Sequence, residues 1–101
     1  MKERIIRISR KARSQLDQIA KYTEETWGAV QCERYLATLM NAIDSIAETP
    51  HLGRSRNEVR RGTWSWRVES HVIYYDYDDT KVEIIGILHG RMDPLRHLPP
   101  G

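Results

Sequence analysis

Apolar and polar positions along the chain change their period twice, and each change separates one kind of element from the next. Arg4-Ile5-Ile6-Arg7-Ile8 is a short β-branched run that reads as a strand, and Ser9 behind it has the side chain of a helix N-cap. Ala12, Leu16, Ile19, Ala20, Thr23 and Trp27 then recur at helical spacing, and Gly28 stands where a C-terminal glycine closes a helix. A second helical stripe runs through Cys32, Tyr35, Leu36, Leu39, Met40, Ile43, Ile46 and Ala47, until Pro50 stops it. The short link at Gly28 makes these two helices antiparallel neighbours.

After Pro50 the period becomes two. Trp64, Trp66 and Val68 alternate with Ser65, Arg67 and Glu69, as in a strand that buries one face. Val72 to Tyr77 and Val82 to Leu88 are two further strands, joined by Asp78-Asp79-Thr80-Lys81, whose side chains bond their own backbone in turns. Arg54 to Gly62 has no consistent period and reads as a loop. Tyr74 and Tyr75 point to opposite faces of their strand, so at most one of them is expected in the core. The predicted order is β-α-α-β-β-β, an α+β fold in which a helical hairpin covers one apolar sheet face.

Composition narrows the class. With 101 residues, 40% of them hydrophobic, the chain is expected to form one domain over residues 1–98, with 99–101 as a tail. No run approaches the length of a membrane span, and the basic N-terminus has no apolar stretch behind it, so a cytoplasmic protein without a membrane partner is expected. Cys32 is the single cysteine, and no Cys/His cluster has metal-ligand spacing. Neither a metal nor a cofactor is therefore expected.

Charge is uneven. Residues 1–13 carry six Lys/Arg against Glu3, and residues 51–67 carry Arg54, Arg56, Arg60, Arg61 and Arg67 against Glu58. Such clustering suits an anionic partner, although a solvated basic loop explains any single arginine equally well.

Three phrases add what periodicity cannot: Pro50-His51-Leu52-Gly53-Arg54, the strand running through Tyr74-Tyr75, and His89-Gly90-Arg91-Met92-Asp93. In this order, at this length, the chain resembles the ParE/RelE superfamily of bacterial toxin–antitoxin toxins. The resemblance implies a helical hairpin on a four-stranded, mainly antiparallel sheet, with the N-terminal strand beside one of the last strands. It also implies an antitoxin partner, here ParD-like, and a toxin–antitoxin hetero-oligomer.

Two activities are open within that resemblance. RelE-like members cut messenger RNA on the ribosome, a reaction that needs cationic stabilisation of phosphate charge and groups that move protons. Arg61, Arg67, His89 and Arg91 are the candidates for such catalysis, with His71 as a second proton carrier. No aromatic residue follows Tyr77, however, so the C-terminal tyrosine used by many RelE-like nucleases is missing. ParE-like members bind and inhibit DNA gyrase and need only an ordered surface with a few anchors. Arg54, Arg56, Arg60, Arg61, Arg91, Asp93, Leu95 and Leu98 are the candidates for that contact. On this reading the chain is not an enzyme and has no stable grip on free nucleic acid. A third possibility is a non-toxic basic module that binds nucleic acid through its arginine loop.

Plain structural roles compete with these. His89 is as well suited to bonding the turn beside it, Arg91 and Asp93 to pairing with each other, and Trp64 and Trp66 to forming one face of the core.

Overall fold

The structure, a computed structural model, describes residues 3–100; Met1 and Lys2 of the expected domain and Gly101 of the expected tail lie outside them. The chain runs β1 (Ile5–Ile8), α1 (Arg10–Trp27), α2 (Ala29–Glu48), a 3-10 turn (Pro50–Leu52), β2 (Arg54–Ser55), β3 (Trp64–Val68), β4 (His71–Tyr77), β5 (Lys81–His89) and α3 (Pro94–His97). Ser9 accepts a hydrogen bond from the Ala12 amide at 3.1 Å and so starts α1. Gly28 ends it with φ 92°, a backbone angle that side chains resist, and α2 begins at the next residue.

The sheet order is β1-β5-β4-β3-β2. β1 runs parallel to β5, with Ile6 opposite Val82 and Ile8 opposite Ile84, and the other pairs are antiparallel. This is five strands rather than the expected four. The extra one is β2, where Arg54 and Ser55 pair with Ser65 and Trp64 inside the segment that reads as a loop. Two residues held by backbone hydrogen bonds are too few to show a side-chain period.

The helical hairpin buries its two stripes against one sheet face. Ala12, Ile19, Leu39, Ile43 and Ile46 meet Val68, Ile73, Tyr75, Val82, Ile84 and Ile87, with Trp64 and Trp66 packed at the margin. Met40 of the second predicted stripe is 42% exposed, and Trp27, a further correction, is 69% exposed. It lies one turn beyond Thr23, the last buried residue of α1, and helical spacing gives a side chain's direction without saying how far the sheet extends beneath it.

The opposite sheet face is also covered, which periodicity did not anticipate. Tyr74, Ile85, Leu88 and Leu98 form a second small cluster, with Val59 and Val72 against it. Tyr74 and Tyr75 are consequently both buried, on opposite faces, and Ser65 is buried although it was expected to face outward. The cover is the 56–63 loop and the C-terminal segment. Gly86 makes room for the latter, since a Cβ there would stand 2.5 Å from the Leu98 Cδ2. Arg60 ties both covers to the sheet. Its Nη1 lies 2.7 Å from Asp76 Oδ2 on β4 and 3.1 Å from Thr63 Oγ1, while its Nε donates to the Pro99 carbonyl at 3.1 Å.

Candidate functional site

Strand register decides which candidate side chains share a surface. Arg54 pairs with Ser65, Ser65 with Tyr74, and Arg67 with Val72, so Arg54 and Arg67 lie on the face away from the helical hairpin. His71 and His89 are paired across β4 and β5, near the hairpin. The turn after β5 joins the two regions. Gly90 donates its amide to Ser70 at 2.8 Å, stitching that turn to the β3–β4 turn, and the Arg91 amide donates to His89 Nδ1 at 3.2 Å.

On the hairpin side a cleft of about 630 Å³ is lined by Tyr22, Trp27, Tyr35, Glu69, His71 and His89, among others. The Tyr35 hydroxyl lies 2.6 Å from His71 Nδ1, and the His71 and His89 rings meet edge to face at 5.5 Å. Burial, and behind it the nearby His89, push the His71 imidazole below its ordinary pKa. Neutral His71 can accept the tyrosine proton at Nδ1, whereas the imidazolium cannot. The sign of the stability effect follows. The folded state resists a proton that the unfolded chain accepts near pH 6.5, so stability is full above that pH and falls as pH drops through the lower folded value. Melting temperature should therefore decline between pH 7.5 and 5. His71→Gln should flatten that decline, and an unchanged slope in this variant would count against the assignment.

A second pocket of about 470 Å³ is lined by Arg67, Ser70, His89, Gly90 and Arg91. Of the four residues suggested for nuclease chemistry, the fold thus brings Arg67, His89 and Arg91 together, and Arg61 does not line that pocket. The suggested contact residues divide. Arg54, Arg61, Arg91 and Leu95 are exposed, and the three arginines make no ion pair among the described residues. Arg60 is held by Asp76, and Leu98 is turned inward. Arg56 bonds Glu58 at 2.8 Å and stacks 5.7 Å from the Tyr74 ring centre, which leaves it half-buried; its hydrogen bond holds the Glu58 carboxyl below the usual range. Asp93 caps α3 by accepting from the Leu95 amide at 3.0 Å, rather than pairing with Arg91. His89 does bond its own turn.

Sequence reasoning missed the exposed apolar group Tyr22, Trp27 and Val30 around the hairpin link, each about two-thirds exposed or more. The signal available was Trp27 standing directly before Gly28, where a helix leaves its covering sheet. The Tyr35–His71 bond joins residues far apart in sequence and had no signal.

Comparison with known proteins places this architecture. The family model described as the ParE toxin of the type II toxin–antitoxin system parDE matches residues 6–94. The chain belongs to the ParE toxin family. It is 38% identical to Toxin ParE1 of Caulobacter vibrioides, covering 91% of this chain and 95% of the relative. It is 35% identical to Toxin ParE1 of Mycobacterium tuberculosis, covering 90% and 94%. Among solved structures, a chain of the chromosomal ParDE TA system from P. aeruginosa superposes with a TM-score of 0.75 over 86% of this chain and 96% of that one. At 15% identity that likeness concerns the fold. The fold of that neighbour agrees with the α+β architecture described above, and no helix among the described residues is long and apolar enough to cross a membrane.

Proposed function

We propose that this ParE-family toxin acts in the cytoplasm by binding and inhibiting DNA gyrase, and that a ParD-like antitoxin neutralises it in a hetero-oligomer. The observation that carries this reading is the surface the fold leaves free. Arg54, Arg61 and Arg91 are exposed without ion pairs among the described residues, on elements anchored by the sheet, as a binding toxin requires. The exposed Tyr22, Trp27 and Val30 offer an apolar contact for an amphipathic antitoxin helix, and the structural neighbour's place in a ParDE TA system supports such a partner.

The test is ATP-dependent supercoiling of relaxed plasmid by purified gyrase. The folded chain should abolish supercoiling, and a trapped cleaved complex should appear as linear DNA after detergent and protease. Arg91→Ala and Arg61→Ala should each weaken inhibition about tenfold without lowering the melting temperature. Growth arrest on expression, rescued by the product of the neighbouring gene, is the expected cellular counterpart.

One observation favours a second reading, ribosome-dependent cleavage of messenger RNA, because Arg67, His89 and Arg91 share one pocket. It lacks the C-terminal aromatic, and with His71 Nδ1 bonded to the Tyr35 hydroxyl it is left with exposed His89 as its proton carrier. Gyrase unaffected by folded protein, together with cut message on ribosomes, would transfer the assignment to it.

A further inference from the structure

Arg67 is exposed, yet its guanidinium lies against the end of the sheet. It crosses β4 to the turn after β5, where its Nη1 and Nη2 lie 3.3 and 3.5 Å from the position a Cβ would take on Gly90. A side chain at residue 90 would press on this fork, so glycine gives the arginine a seat. Gly90 does not have a positive φ, which removes backbone strain as the reason for a glycine here. The turn beneath is itself fixed by the Gly90–Ser70 hydrogen bond.

Around this seat the pocket contains two guanidinium groups, one imidazole and one serine, and no carboxylate lines it. Glu69, in the β3–β4 turn beside Ser70, lines the neighbouring cleft on the hairpin side and makes no ion pair among the described residues. Two further acids are engaged elsewhere. Asp93 caps α3, and Glu58, whose carboxyl also feels Arg54, is hydrogen-bonded to Arg56. Arg54 continues the positive surface on the same face. It pairs with Ser65, two residues before Arg67, and such diagonal neighbours on paired strands stand about 7–8 Å apart. The cations therefore form a row across the sheet from β2 to the turn after β5.

We propose that Arg67, Arg91 and His89 form a phosphate-binding site, extended by Arg54, and that its ligand is the phosphodiester backbone of DNA engaged by the target enzyme. The DNA as source rests on the gyrase reading, while the phosphate chemistry rests on the pocket. Guanidinium forks bind phosphate oxygens in pairs, and an imidazole N–H adds a third donor. A row of cations matches an anion that carries one charge on every unit better than it matches an acidic peptide, whose charges are irregularly spaced. Few contacts make for weak binding to bare DNA, on the order of 10⁻⁴ M, so the site acts chiefly when the target brings DNA to it.

The test uses the full chain labelled with ¹⁵N, titrated at low salt first with inorganic phosphate and then with a short thymidine oligonucleotide. Shifts should concentrate at the Gly90 and Arg91 amides and at the Arg67 Nε. Arg67→Ala and Arg91→Ala should each weaken oligonucleotide binding about tenfold and make its salt dependence shallower by about one phosphate contact. Gly90→Ala, which the backbone accepts, should weaken binding by displacing the Arg67 fork while the rest of the spectrum stays in place. Absent or scattered shifts, shifts unchanged in Arg67→Ala, or a response only to a glutamate-rich peptide would each overturn the proposal. Specific oligonucleotide shifts from a chain that leaves gyrase untouched would retain the site and remove the gyrase reading. Gyrase inhibition equal in the wild type and Arg67→Ala, without oligonucleotide shifts, would do the reverse.

Discussion

Gly53→Ala should destabilise the fold by about 3 kcal/mol, the sum of overpacking and a disturbed buried hydrogen bond. Backbone strain is not the reason, since Gly53 has φ −71° and ψ −176°, which any residue can adopt. The obstacle is space. A Cβ at this position would overlap the Tyr75 hydroxyl and stand 2.9 Å from the Ser65 carbonyl oxygen. Tyr75 cannot step aside, because it is fully buried and its hydroxyl donates to the Pro50 carbonyl at 2.6 Å. That bond fixes the 3-10 turn, and with it the entry to β2, against the main core. Tyr75→Phe alone should cost about 1 kcal/mol by removing this bond, which leaves the Pro50 carbonyl with the Gly53 amide, 3.3 Å away, as its donor. It also removes the oxygen that clashes, so Gly53→Ala should cost markedly less in the Tyr75→Phe background than in the wild type. Urea unfolding of the four proteins in this cycle measures the difference, and strictly additive losses would refute the steric account.

Arg60→Ala should cost about 2 kcal/mol, near the low end for a hydrogen-bonded charge pair because solvent reaches both partners, with side-chain exposures of 18% and 32%. It removes bonds to Asp76, Thr63 and Pro99 together and leaves the Asp76 carboxylate with the Thr63 hydroxyl alone. The loss should not spread evenly through the molecule. Once the tail is released, Leu98 can leave its place over Gly86, so the Leu98 amide, bonded to the Pro94 carbonyl, should exchange with solvent much faster than amides of β4. Arg56→Ala provides the contrast. Its partner Glu58 is 62% exposed, and an ion pair of that kind is worth well under about 1 kcal/mol. Equal losses from the two arginine substitutions, or unaltered Leu98 exchange in Arg60→Ala, would show that Arg60 does not hold the tail.

The candidate surface was only partly legible for the same reason that the second core was missed. Arg54, Arg56, Arg60 and Arg61 look alike in sequence, one run of cations in a loop without a period. Their different roles depend on Asp76, Glu58 and the free face of β3, which the chain supplies from other elements. Similarly, nothing local distinguishes Leu95 from Leu98. The first is 67% exposed and the second is buried because Gly86, on β5, leaves it a space.

What the sequence determined by itself is whatever depends on neighbours within one element. Ser9 as a cap, Gly28 as the hairpin link, Pro50 as the end of α2, the two helical stripes apart from exposed Trp27 and Met40, and the three long strands follow from backbone preference and side-chain period, and appear where these place them. The ParE family likeness added the neighbour of β1, which parallel pairing with β5 requires but no local pattern states. Only the tertiary structure decided the two-residue β2, the burial of Tyr74 and Ser65 on a face that alternation left to solvent, the Tyr35–His71 bond and the seating of Arg67 on Gly90. Each of these brings together groups distant along the chain, and the local pattern contains no term for such a meeting until the hairpin, loop and tail have closed on the sheet.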